Sequence, residues 1–178
     1  TELGVDKSKV IQKKAAEVGN IFTLGEKYSA PLELTYTDET GVEHNVFMGS
    51  YGIGPSRLVG VIAELTGDDA GLCWPAQIAP YLVQLVSLGG DELVTAEAQR
   101  VYEDLRSVGI SVIWDDRDAS AGEKFADADL MGMPYRVVIS KKTLESQLYE
   151  IKVRNSGEVM NLEYDQLKNL LAKQRKGV

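Results

Sequence analysis

Apolar positions change their spacing along this chain near residue 75, and the change separates two regions of different predicted architecture. In the first region they fall in short β-prone runs, Asn20–Leu24 and Leu32–Thr37, broken by Gly25 and by Ala30-Pro31. Asp38-Glu39-Thr40-Gly41 has the composition of a hairpin turn, in which Gly41 can take a positive φ, and Val42–Met48 is the predicted returning strand. The order predicts an antiparallel meander that ends at Gly49. Tyr51-Gly52-Ile53-Gly54 is then expected to turn into a helix over Pro55–Leu65. Pro55 suits a first helical position, and Leu58, Val61, Ile62 and Leu65 recur on one face. Thr66-Gly67-Asp68-Asp69 is its predicted stop. The polar residues 1–14 show no periodicity and read as a linker.

Beyond Pro75 the pattern alternates between strand and helix. Tyr81–Ser87 is an apolar strand, and Glu92–Val108 an amphipathic helix with Val94, Ala98, Val101, Leu105 and Val108 on one stripe and Gly109 as its stop. Ile110–Trp114 is a second strand, Ala121–Met131 a short helix, and Tyr135–Ser140 a third strand. This β-α-β-α-β order predicts three parallel strands with right-handed crossovers, an α/β fold. Tyr149–Arg154 and Glu158–Leu162 form a predicted edge hairpin, and Tyr164–Lys173 a closing helix. The boundary is placed near Trp74–Pro80, where two prolines disfavour helix, giving domains of residues 1–75 and 76–178.

The 178 residues are 44% apolar and 26% charged, as in soluble globular chains, and no apolar run reaches membrane-spanning length. Cys73 and His44 are single, which excludes an internal disulfide and leaves no expectation of a protein-built zinc site. A reducing cytoplasm fits this composition. The net charge of −8 is uneven: residues 117–178 hold eleven Lys or Arg against nine Asp or Glu. A nucleic-acid contact is therefore permitted at the C-terminal end, although a mixed solvated surface explains the charge equally well.

Gly49-Ser50-Tyr51-Gly52-Ile53-Gly54-Pro55-Ser56-Arg57 is the first candidate for chemistry. Glycines let backbone approach a ligand, a helix start presents free N–H groups, and an arginine there supplies a fixed cation for an anion. As a bare pattern it serves equally as a tight turn.

The wider pattern is more specific. Glu17-Val18-Gly19-Asn20-Ile21-Phe22-Thr23-Leu24-Gly25, Lys27-Tyr28-Ser29 and Met48–Leu58 resemble prolyl-tRNA synthetase of the bacterial type. So do Trp74-Pro75, Ile78-Ala79-Pro80 and Asp115-Asp116-Arg117, followed by Gly122, Lys124-Phe125, Ala128-Asp129-Leu130, Gly132 and Pro134. The resemblance runs from about Lys14 to the C-terminus, with the motifs in family order.

It implies an antiparallel strand-helix remnant of a class II synthetase catalytic domain, then a three-layer α/β/α anticodon-binding domain with a mixed five-stranded sheet. Tyr51–Arg57 is similar to the third class II motif, so Arg57 is implied to contact ATP, with Gly52 and Gly54 leaving room for the nucleotide and Phe22 beside it. Asn20, Phe22 and Ser50 are implied to shape the proline site; bacterial members often carry cysteine where Ser50 stands. Thr23 stands where glutamine or lysine is expected. The Asp115–Arg117 loop becomes the anticodon-reading edge. There Arg117 and Lys124 are expected to meet RNA backbone or guanine edges, and Asp116 and Asp129 to accept from base amino groups. Asp115, Asp116 and Arg117 serve equally as a salt-bridge network within the loop. Lys141, Lys142, Lys152 and Arg154 read as solvated surface, and Lys173-Gln174-Arg175-Lys176 as a frayed basic end.

The implied partners are ATP with Mg²⁺, proline and tRNA(Pro), and the implied complete enzyme is a homodimer without a membrane association or a zinc extension. Two further class II motifs do not appear in these residues, so the chain alone is not expected to form prolyl-adenylate. Competing readings are a non-catalytic RNA-binding module derived from a synthetase, a histidyl-, threonyl- or glycyl-type synthetase, and a flavodoxin-like cofactor domain. Against the last, Ser87-Leu88-Gly89-Gly90-Asp91 lacks a phosphate-binding fingerprint and sets an acid at a helix start.

Overall fold

A computed structural model describes residues 4, 8, 10, 11 and 13–175. Most of the polar stretch 1–14, and Lys176 of the basic end, lie outside the described residues. The chain divides into two compact units between Val61 and Ile62.

In the first unit, β1 (Gly19–Gly25) pairs antiparallel with β4 (Met48–Ile53), while β2 (Thr35–Thr37) and β3 (Glu43–Asn45) form a separate hairpin. Asp38 builds the hairpin turn: its Oδ1 accepts from the backbone N–H of Thr40 at 2.8 Å and of Val42 at 3.0 Å. Gly41 follows at φ 86°, as the sequence predicts.

Two expectations are corrected here. The strands are not a meander, because β4 returns past the hairpin to β1. The Gly-rich stretch Gly49–Ile53 is strand rather than turn, since it pairs residue by residue with Gly19–Thr23. A glycine lacks a side chain but keeps its N–H and C=O, and the ladder to β1 uses those. Only Gly54 remains between the strand and α1 (Pro55–Thr66), a helix that runs across the division between the units.

The second unit is built on a five-stranded sheet of order β6-β5-β7-β8-β9. Here β5 is Val83–Ser87, β6 Val112–Asp115, β7 Tyr135–Ile139, β8 Tyr149–Val153 and β9 Val159–Leu162. β5 runs parallel to both β6 and β7, and β8 and β9 continue antiparallel, so the sheet is mixed. The connection from β5 to β6 and that from β6 to β7 run in opposite directions across the sheet. Right-handed crossovers therefore place α2 (Glu92–Ser107) on one face and α3 (Ala121–Met131) on the other.

Val94, Ala98, Val101 and Leu105 of α2 and Leu167 and Leu171 of α5 (Tyr164–Arg175) close over Val83, Leu85, Val112, Val137, Ile139 and Ile151. This is the main core. Two of the helices start as their sequence dictates: Asp91 accepts from the Leu93 N–H to cap α2, and Ser120 from the Glu123 N–H to cap α3. A short helix that the periodicity does not predict, α4 (Lys141–Ser146), follows β7. Six residues carry too little repeat to register, but Ser140 and Thr143 close a reciprocal cap at its start.

The α3 face of the sheet carries polar side chains among the apolar Ile113, Val86 and Val138. Gln84, Arg136 and Lys152 are register partners across β5, β7 and β8, and so share this face. Leu72 and Trp74 also belong to this unit: their N–H groups donate to the carbonyls of Leu130 and Gly132, each at 3.0 Å.

Candidate functional site

In the first unit, pairing decides which candidate residues meet. Asn20 lies opposite Gly52, and Phe22 opposite Ser50. Opposed residues, and residues two apart on a strand, point to the same side. Asn20, Phe22, Ser50 and Gly52 therefore share one face of the β1–β4 ribbon. Phe22 is about half exposed there. A Cβ built at Gly52 meets nothing within 4 Å, so the surface is open beside it.

Arg57 stands in the first turn of α1 and is exposed. Its Nη1 donates to the Glu17 carbonyl at 2.6 Å, and the Glu17 carboxylate accepts from Asn20 Nδ2 at 3.1 Å. Glu17 thus ties the arginine to the strand that carries Asn20 and Phe22. The sequence gives no separate signal for that link, because it spans forty residues of chain. Among the described residues one guanidinium N–H is committed, and the others remain for an anion.

In the second unit, β6 ends at Asp115, on the side of the sheet where its parallel strands present their carboxyl ends. This is where open α/β sheets place ligands. Arg117 returns onto Asp115 with Nε 2.9 Å from Oδ1 and Nη2 2.7 Å from Oδ2. The same Nη2 reaches Asp127 Oδ2 at 2.7 Å. The loop network that the sequence allows is therefore present between Asp115, Arg117 and Asp127, and Asp116 stands outside it, exposed. Asp127 was not singled out by sequence, though it lies three residues after Lys124 on α3.

Lys124 occupies a different environment from the one expected of an RNA contact. It is 2% exposed, and its ammonium donates to the Ser87 carbonyl at 2.7 Å and the Asp115 carbonyl at 3.3 Å. Those bonds hold the carboxyl ends of β5 and β6 together beneath the loop. Asp129 likewise faces protein: both its oxygens accept from Lys152 Nζ at 2.9 Å. The reading of Lys152 and Arg154 as solvated is corrected by these contacts. Arg154 is buried, with both terminal nitrogens 2.6 Å from the Asp68 carboxylate and Nε on the Asp129 carbonyl. A surface arginine gains little from one ion pair, but this one also packs its stem under α3 and fixes the chain that follows α1.

Hydrogen bonds from Arg117, against the opposing effect of burial, hold Asp115 below the usual carboxylate range. Asp104, with Lys168 and Tyr164 beside it, and Asp68, with Arg154, are held low in the same way. A carboxylate whose folded pKa lies below its unfolded value stabilises the fold above the unfolded pKa, about 4, and loses that contribution as pH falls through the folded value. The denaturant midpoint of the chain is thus expected to decline steadily as pH drops below about 5. A midpoint that stays flat from about pH 6 to 3 contradicts this account of these pairs.

Among the described residues no group of three or more His, Cys, Asp or Glu side chains gathers to hold a metal ion, and no helix is long and apolar enough to cross a membrane.

The profile of the family described as "Anticodon binding domain" matches residues 82–174. A proline–tRNA ligase of a Geobacillus species is 46% identical over 155 residues, covering 86% of this chain and 27% of that protein. One of Methylobacterium radiotolerans is 45% identical over 146 residues, covering 82% of this chain and 33% of its own length. One of a Wolbachia from Drosophila simulans is 40% identical over 156 residues, with 88% and 36% covered. The chain spans about a third of the length of these curated relatives.

Proposed function

This chain belongs to the family of anticodon-binding domains, and from that membership we propose that it is the C-terminal part of a proline–tRNA ligase of the bacterial type. The observation that carries the reading is that similarity to proline–tRNA ligases, at 40–46% identity, covers more than four-fifths of the chain and so reaches well beyond the matched domain. A module kept for RNA binding alone has no need of the Arg57 helix start or of the face shared by Asn20, Phe22, Ser50 and Gly52.

In this reading residues 1–75 are the last part of the catalytic domain and residues 76–178 the anticodon-binding domain. The complete enzyme, a cytoplasmic homodimer, joins proline to ATP and passes it to tRNA(Pro). A carboxylate oxygen of proline attacks the α-phosphorus, the bond to pyrophosphate breaks, and the ribose hydroxyl of the tRNA end then displaces AMP. Mg²⁺ enters with the ATP phosphates. The chain supplies no covalent nucleophile. It supplies orientation and a fixed positive charge. Phe22 gives the apolar pyrrolidine ring a wall, Asn20 and Ser50 border the same pocket, and Gly52 and Gly54 leave room for the nucleotide. Arg57, steadied by the Glu17 carbonyl, meets ATP.

In the second domain Asp116 and Arg117 face the anticodon, and Lys124 and Asp129 act from beneath by setting the loop and α3. The chain is expected to bind a tRNA(Pro) anticodon hairpin at least tenfold more tightly than one with its anticodon bases exchanged, since each well-read base is worth roughly 1–3 kcal/mol. Fluorescence anisotropy at fixed salt measures the ratio. Equal affinity for both hairpins counts against anticodon reading.

A further inference from the structure

Glu17 bonds to two candidate residues through two different parts of itself. Its carbonyl accepts from Arg57 Nη1 at 2.6 Å, and its carboxylate accepts from Asn20 Nδ2 at 3.1 Å. The residue lies just ahead of β1, where the Gly54 N–H donates to the neighbouring Val18 carbonyl at 3.3 Å. That bond carries the β1–β4 pairing one step past Ile53 and brings the backbone of Glu17 to the start of α1. The place of Glu17 is thus set by backbone, and its side chain is left to act on Asn20.

The Asn20 amide is held at both of its polar atoms. Oδ1 accepts from the Ile21 N–H at 2.9 Å while Nδ2 donates to Glu17. A carboxylate only accepts and a backbone N–H only donates, so the two partners agree on one orientation of the amide and reject the flipped one. Glu17 takes one of the two N–H groups on Nδ2, and the other is uncommitted among the described residues.

Asn20 stands on the ribbon face that it shares with Phe22, Ser50 and Gly52. Asn20 and Phe22 are two positions apart there, roughly 7 Å along a strand, which is the span of a small amino acid. With its pyrrolidine ring against Phe22, proline brings its carboxylate to Asn20. A carboxylate needs a donor, and the fixed amide has one left. A flipped amide sets oxygen against oxygen.

We propose that Glu17 is a positioning residue of the proline site: its carboxylate locks the Asn20 amide so that Nδ2 offers its second N–H to one carboxylate oxygen of proline. The other oxygen stays free to attack the α-phosphorus. The proposal rests on the chain being part of a proline–tRNA ligase. It divides the work of one residue, with the carbonyl of Glu17 serving Arg57 and its side chain serving Asn20. A substitution at this position keeps the first link and removes only the second.

The test is proline-dependent ATP–pyrophosphate exchange by the complete ligase, with KM measured separately for proline and for ATP. Glu17→Ala is expected to raise the proline KM roughly tenfold, the scale of one hydrogen bond to a charged group, and to leave the ATP KM unchanged. Glu17→Gln, which can accept the same N–H, is expected to restore most of the loss. Glu17→Ala combined with Asn20→Ala is expected to be no worse than Asn20→Ala alone, because the side chain acts through Asn20. Effects that add in the double variant, or an ATP KM that rises in step with that of proline, overturn the proposal. Should Glu17→Ala fail to fold, Glu17→Asp decides: its carboxylate ends one methylene short of Asn20, so a raised proline KM supports the tie and an unchanged one overturns it. If the unsubstituted ligase exchanges normally and Glu17→Ala matches it in proline KM, the role of Glu17 falls and the ligase reading stands. If the unsubstituted protein shows no exchange that depends on proline, both fall.

Discussion

Gly132→Ala is expected to lower the stability of the second unit by about 3 kcal/mol, reading as a thermal midpoint roughly 10 °C lower. Gly132 ends α3 in the left-handed region, at φ 70°, where a side chain adds strain of about 1 kcal/mol or more. The larger contribution is steric. A Cβ at this position would lie 2.0 Å from the Leu72 carbonyl oxygen and 2.2 Å from its carbon. Both are backbone atoms, held by the bonds from Leu72 to Leu130 and from Trp74 to Gly132. The chain that follows α1 must then move off α3. Gly157→Ala is the control, because Gly157 has the same φ of 70° and open space where its Cβ would go. It is expected to cost only the strain. Equal losses in the two variants, measured by denaturant unfolding, would show that the close approach at Gly132 contributes nothing.

Arg57→Ala in the complete ligase is expected to reduce proline-dependent ATP–pyrophosphate exchange by about 10²–10³-fold, the usual effect of removing one fixed charge-stabilising donor from a reacting centre. Arg57→Lys is expected to recover part of that rate, since it keeps the charge but not the planar fork. The side chain is exposed and makes one hydrogen bond among the described residues, to the Glu17 carbonyl, so the fold is expected to persist in both variants. Anticodon-hairpin binding should be unchanged, which separates a defect in activation from a general loss of structure. Exchange at the unsubstituted rate in Arg57→Ala would remove the arginine from the chemistry.

Much of the second unit could be read from spacing alone. The stripe from Val94 to Leu105 that predicts α2 is the stripe the core receives, and Ala121–Met131 forms a helix with the predicted bounds. Asp91, Ser120 and Gly132 mark helix ends through chemistry that acts within a few residues. The first unit was less legible because glycine is ambiguous. Gly49 and Gly52 suggest a turn when considered locally, and only β1, arriving from about thirty residues earlier, makes them a strand. The candidate residues divide in the same way. Asn20, Phe22 and Ser50 were marked by motif, but cross-strand pairing places them on one face. Lys124 and Arg154 were marked as cations without any indication that they are buried.

By itself the sequence determined the family, the α/β order of the second unit and the caps that delimit its helices, since these depend on neighbours a few positions apart. Tertiary structure alone decided which charges face water. Arg154 finds Asp68 across 86 residues, and Lys124 reaches the Ser87 carbonyl across 37. Such pairs leave no periodic trace, because a lysine or arginine looks the same in sequence whether its partner is solvent or a carboxylate brought in by the fold.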